Sequence, residues 1–128
     1  MKRRMMAMLM LLVLTATAAF GQNKIDDMVE HFSTRGSATF TSVVDRDPKT
    51  GKIKSVVKVL TAHNMDADNF ANAFEKASAE GTFSKKTDSD KTTLRLTTKG
   101  KNGTRVYMMT YNCRTRRDVM VTIIIKRS

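Results

Sequence analysis

The sequence predicts an α+β fold, a two-layer sandwich in which two helices lie on one face of a five-stranded antiparallel sheet. Two segments carry apolar side chains at the i, i+3, i+4, i+7 spacing of an amphipathic helix. Five further segments are rich in the β-branched and aromatic residues that favour strands. Turn-forming sequences separate the paired strands, and the predicted order is α-β-β-α-β-β-β.

Residues 1–21 have the pattern of a secretory signal peptide. Basic residues 2–4 precede an apolar run over residues 5–14, and small residues lead to a predicted cleavage after Gly21. The run is too short to span a bilayer, which takes about 20 residues. The sequence therefore predicts export to the periplasm or the outside, with residues 22–128 forming one α+β domain and no transmembrane segment after removal of the signal.

Composition excludes several classes of protein. The 128 residues include a single Cys, which rules out an internal disulfide framework and a Cys-rich zinc module. Hydrophobic residues make up 41% and charged residues 27%, so the chain is neither collagen-like nor wholly disordered.

The first predicted helix begins after Asn23, whose side chain suits an N-cap. Its apolar stripe consists of Ile25, Met28, Val29 and Phe32. A helix with one apolar stripe buries that stripe against another element. We therefore expect this helix to pack on the sheet.

An antiparallel hairpin is predicted next, with strands over residues 37–44 and 52–61. Between them lies Asp45-Arg46-Asp47-Pro48-Lys49-Thr50-Gly51, which combines most of the residue types that favour turns. The turn is therefore expected to join neighbouring strands of one sheet.

The second helix is predicted to open at Asn64 or Asp66 and to pack Phe70 and Phe74 on the sheet. Gly81 stands where a helix commonly ends in a left-handed residue. The helix is therefore expected to end just before this glycine.

Residues 84–91 are polar and are predicted to form a loop. Strands are predicted over residues 92–98, 104–113 and 118–126. The last of these segments is apolar on both faces. It is therefore expected to lie in the centre of the sheet, or to have its outer face covered.

Two stretches, residues 39–58 with the Asp-x-Asp-Pro-x-Thr-Gly turn and the segment Arg105-Val106-Tyr107-Met108-Met109, resemble a family of small secreted Bacteroidetes proteins of unknown function. The resemblance covers most of the predicted mature chain. It implies an α+β fold and a location in the cell envelope or outside the cell. It implies no activity and no functional residues.

One pattern resembles a calcium-binding loop, because oxygen-bearing residues fall at positions 1, 3, 5 and 12 of that motif. The residues are Asn64, Asp66, Asp68 and Glu75. The motif lacks its glycine, however, and a helical stripe begins inside it. We therefore interpret these residues as the start of a helix and predict neither metal nor cofactor.

The sequence predicts no catalytic site. His31 and His63 are the only imidazoles, and the chain has no nucleophile motif and no phosphate-binding loop. Cys113 lies beside turn arginines, which would make a thiol more reactive, but a small half-buried residue is the favoured interpretation. We predict a non-enzymatic protein, with an envelope enzyme or enzyme inhibitor as the alternative.

Positive charge is concentrated in one segment. The net charge is +11, and residues 84–117 contain ten basic and two acidic residues. Such clustering produces a local positive field. The predicted function is binding of an anionic polysaccharide or an acidic protein, not of nucleic acid, and a homo-oligomer is left open by the apolar last strand.

Two tyrosines of the same segment leave an alternative open. Tyr107 and Tyr111 share one face of their strand, either as part of an exposed aromatic and basic strip or, in the reverse register, inside the core. The candidate binding residues are Arg95, Lys99, Lys101, Arg105, Tyr107, Tyr111, Arg114, Arg116 and Arg117.

Overall fold

A computed structural model describes residues 23–35, 38–101 and 103–127, and the predicted signal peptide lies outside these ranges. The described chain is an α+β fold with two helices and one antiparallel sheet. The elements in chain order are α1 (Lys24–Ser33), β1 (Thr39–Arg46), β2 (Ile53–Ala62), α2 (Asp68–Ala77), a 3-10 turn (Ser78–Glu80), β3 (Thr82–Asp88), β4 (Lys91–Gly100), β5 (Gly103–Asn112) and β6 (Arg117–Arg127).

The strands lie in the spatial order β1-β2-β6-β5-β4-β3, and every neighbouring pair is antiparallel. β6 is hydrogen-bonded to β2 on one side and to β5 on the other. The prediction of a central last strand is therefore confirmed.

The prediction of five strands is wrong, because the sheet described here has six. The segment predicted as a loop over residues 84–91 forms most of β3, a two-residue turn and the first residue of β4. β3 is an edge strand whose residues are exposed except for the partly buried Phe83. Charged residues are common on edge strands because they discourage pairing with other chains. The segment therefore has no apolar alternation that would mark it as a strand.

Both helices contribute to one core on one face of the sheet. Phe70 and Phe74 of α2 are fully buried, with Ile25 and Val29 of α1 beside them. The Phe32 and Phe70 rings are 5.9 Å apart between centroids and join the two helices. On the sheet, this core is formed by alternate residues of the inner strands, including Leu60, Leu94, Leu96, Tyr107, Met109, Val119, Val121 and Ile123.

The ends of the elements follow local hydrogen bonding. Asn23 caps α1: its side chain accepts from the Ile25 amide at 2.8 Å, and its own amide donates to Asp26 at 2.9 Å. Gly51 has a φ of +76°, which the predicted hairpin turn requires.

Gly81 is not left-handed, and the prediction of a left-handed residue there is wrong, because a 3-10 turn separates this residue from α2. It is extended, with a φ of −171°. A Cβ at this position would collide with the carbonyl oxygen of Thr97. Close approach of β3 to β4 therefore explains the glycine.

Candidate binding surface

The helices cover one face of the sheet, and we call the other face the open face. On it, Val43, Val57, Ile124 and Val106 are successive cross-strand neighbours on β1, β2, β6 and β5. The open faces of antiparallel sheets are ordinarily polar. Here an apolar strip crosses the middle of the face. The apolar strip consists of Val43, Val57, Val59, Val106, Met108, Met120 and Ile124.

Basic side chains border the apolar strip on the side of β3 and β4. They come from alternate positions of the two strands, so all point to the open face. All are exposed, and no ion pair found in the described part of the chain includes them. We call these residues the basic margin: Lys86, Lys91, Arg95 and Lys99. Lys101, also a candidate, is exposed in the turn after β4.

The exposed strip, one of the two alternatives for Tyr107 and Tyr111, is not found. Both lie on the helix-covered face, with 1% and 4% of their surface exposed. The other register, which the sequence left open, is the one found, and Val106 and Met108 face outward instead. The tyrosines are in the core because the two helices cover their face of β5.

Arg105 is committed to a structural ion pair. Its guanidinium lies 3.1 Å from the buried carboxylate of Asp26, to which the Tyr107 hydroxyl also donates at 2.7 Å. Burial raises the pKa of Tyr107, and the neighbouring Asp26 carboxylate raises it further. These three side chains connect the first turn of α1 to β5, so Arg105 is not an exposed ligand group.

The turn arginines have partners of their own. Arg114 pairs with Asp90 at 2.9 Å, and Arg116 pairs with Asp68 and lies over the Tyr111 ring. Arg117 donates to the Asn64 carbonyl at 2.9 Å. These contacts fasten the β5–β6 turn to the β3–β4 turn and to the start of α2 with the loop before it, and two of the three positive charges are balanced locally.

A second basic surface has no clear signature in the sequence. A depression of about 760 Å³ beside the β1–β2 turn is lined in part by Arg46, Lys52, Lys54 and Arg127, with Asp47 among them. Three of these cations lie within residues 46–54, and the fourth, Arg127, lies at the end of β6. Only the strand pairing that brings the end of β6 beside β2 reveals the cluster.

At the other end of the open face, a depression of about 750 Å³ extends from Met120 to the basic margin residues Lys86 and Lys91. His63 and Asp118 lie at its rim, with 3.2 Å between Nδ1 and Oδ1. Both of these side chains are largely exposed. The depression joins the apolar strip to the basic margin.

The residues of the calcium-like pattern are engaged otherwise. Asp66 accepts from the Asp68 amide at 2.9 Å, and Asp68 pairs with Arg116. Within the described ranges, no group of three or more His, Cys, Asp or Glu side chains is arranged to hold a metal ion. The half-buried Cys113 thiol lies 3.8 Å from the Ser89 carbonyl, to which it donates.

Comparisons with protein families, with curated proteins and with solved structures find no match for this chain. The resemblance to small secreted Bacteroidetes proteins therefore stays a prediction. Of the helices in the described part of the chain, none is long and apolar enough to cross a membrane.

Proposed function

We propose that this protein is an exported, non-enzymatic binding module that holds an anionic ligand against its basic margin. One observation supports the proposal: within residues 84–117, some cations are paired with carboxylates and others are not. Arg105, Arg114 and Arg116 have carboxylate partners within the fold. No ion pair among the described residues includes a margin cation, and although Asp88 lies opposite Lys91 on the open face, the margin keeps a net positive charge that is available to a ligand.

The ligand class follows from this charge. Four exposed cations on two adjacent strands favour a ligand that presents several anionic groups together. Acidic polysaccharides and acidic protein surfaces both meet this requirement. Nucleic acid is set aside because export would take the protein away from it.

Salt-dependent retention on a heparin matrix tests the proposal. The test variant is Arg95→Gln/Lys99→Gln, and the matched control is Arg114→Gln/Arg116→Gln, which removes the same number of charges from two arginines paired with carboxylates. The test variant lacks two exposed cations, so it should elute at clearly lower salt than the parent. Salt acts on this binding because mobile ions screen exposed charges beyond about 8 Å at physiological ionic strength. The control should elute near the parent.

Thermal melts of both variants identify any loss of fold, which is expected to be small because surface substitutions usually change stability by less than about 0.5 kcal/mol. Equal shifts in elution for the two folded variants would mean that retention follows total charge alone. The basic margin would then have no special role, and the proposal would be wrong.

A further inference from the structure

The apolar strip has no partner among the described residues. Val43 is 58% exposed and Met120 43%, and the other five members are partly exposed. Contiguous apolar surface rimmed by polar groups marks interaction sites in soluble proteins. We therefore expect the strip to bind another molecule or segment. The charged residues around the strip limit the kind of molecule that can bind there.

A second copy of the chain does not fit. When two copies of one sheet pack face to face with their strands aligned, the twofold axis that relates them lies either perpendicular or parallel to the strands. A perpendicular axis brings the basic margins of the two copies together, so like charges repel. A parallel axis places each margin over β1 and β2 of the other copy, where Arg95 meets Val59. That part of the open face offers one carboxylate, Asp45, against four cations.

The N-terminal segment of the chain does not fit either. Its apolar run over residues 5–14 could cover a strip, but Lys2, Arg3 and Arg4 would add three cations beside the margin. A polysaccharide supplies the anionic groups but has little apolar surface to bury on the strip. The occupant must therefore combine an apolar face with negative charge.

We propose that the open face binds an acidic amphipathic helix of a partner protein, with the apolar stripe of that helix on the apolar strip and the carboxylates of its end at β5 beside the basic margin. This inference rests on the proposed function and narrows the ligand to a polypeptide. The strip spans four strands at about 4.8 Å spacing, or roughly 14 Å. Two to three turns of helix, at 5.4 Å a turn, cover that length. The covered face shows that helices with one apolar stripe pack on this sheet.

The test uses a synthetic 18-residue peptide with leucines at i, i+3, i+4 and i+7 and glutamates on the flanks, labelled for fluorescence anisotropy. Two control peptides have the same length: one has lysine in place of every glutamate, and one keeps the composition but has its leucines moved off the stripe. The purified protein should bind the glutamate peptide at least tenfold more tightly than either control. Equal binding of the glutamate peptide and the scrambled peptide would overturn the proposal.

A variant of the protein separates this inference from the proposed function. Val57→Thr/Val106→Thr makes the strip polar with nearly unchanged side-chain shape at solvent-facing positions. It should weaken peptide binding at least tenfold while leaving retention on heparin unchanged. Unchanged peptide binding overturns the helix proposal alone, whereas unchanged heparin retention of Arg95→Gln/Lys99→Gln overturns the proposed function.

Two further measurements test other occupants, a second copy of the chain and a lipid surface. Light scattering that shows a dimer, dissociated by Val57→Thr/Val106→Thr, would assign the strip to a second copy and contradict the proposal. Sedimentation with vesicles of an anionic phospholipid, lost in the same variant, would assign it to a lipid surface and contradict it as well.

Discussion

The two faces of the sheet are built from the same strands yet differ in what their side chains contact. In β5, Tyr107 and Met109 are buried under the helices, whereas Val106 and Met108 between them face outward and are partly exposed. The covered face has its apolar partners within the fold, except at the edge strand β1, where Val44 is 45% exposed. The open face is apolar in its middle and basic at one side without such partners. Burial by the helices, more than residue type, therefore separates residues that stabilise the fold from residues that are available to bind.

The largest effect is expected on the covered face. Phe74→Ala should lower the free energy of unfolding by about 3–5 kcal/mol, because the ring is fully buried between helix and sheet. Urea titration followed by circular dichroism measures the change. An unchanged transition midpoint would mean that α2 does not form the core described.

A matched pair of substitutions compares the two faces directly. Val121→Thr places a hydroxyl in the core, where an unsatisfied polar group costs about 1–3 kcal/mol. Val106→Thr makes the same chemical change on the open face, where water can hydrate the hydroxyl, and should cost less than about 0.5 kcal/mol. Denaturant titrations of both variants give the two values. Equal losses would show that the open face is covered in solution.

The smallest effect concerns pH. The pKa of Tyr107 is raised in the fold, so its protonated form is favoured there. Its contribution to stability is complete below the unfolded pKa of about 10 and is lost as pH rises above that value. Lysine deprotonation also acts in this range, so Tyr107→Phe serves as the reference.

The stability difference between the parent and Tyr107→Phe should shrink by about 1.4 kcal/mol for each pH unit above 10. Urea titrations at pH 9, 10 and 11 provide the measurement. A difference that stays constant across this range would show that the Tyr107 hydroxyl is not held protonated by the covered face.

The periodicity of apolar residues predicted most of the fold, because the buried side chains of a helix or strand recur at regular intervals along the sequence. The stripes of both helices and the double-faced apolar β6 were correctly interpreted for that reason. β3 was missed because only Phe83 packs on the core, and the remaining side chains have no buried face to alternate with. The sequence could not predict which face of the sheet Tyr107 lies on, because both sets of alternating residues in β5 contain apolar side chains. Only the position of the helices decides which set is buried.

The candidate site was less predictable because charge density does not reveal pairing. Arg116 and Asp68 are 48 residues apart, and Arg105 and Asp26 are 79 apart. These ion pairs depend on tertiary contacts that no local pattern encodes. Arg95 and Lys99 have the same charge as these arginines, yet they lie on the open face without an acidic partner among the described residues.

The position of β6 also determines the order in which the sheet can assemble. β1 pairs with β2, and β3, β4 and β5 pair in succession, but β6 alone is hydrogen-bonded to both groups. This strand follows all the others along the chain, so during synthesis a hairpin and a three-stranded meander emerge with no strand to connect them. The contacts between β2 and β6 span some 60 residues, and contacts of such long range slow folding. Until residues 117–127 are available, the β1–β2 hairpin and the β3–β4–β5 meander have no strand between them. The complete sheet can form only after these residues pair with β2 and β5.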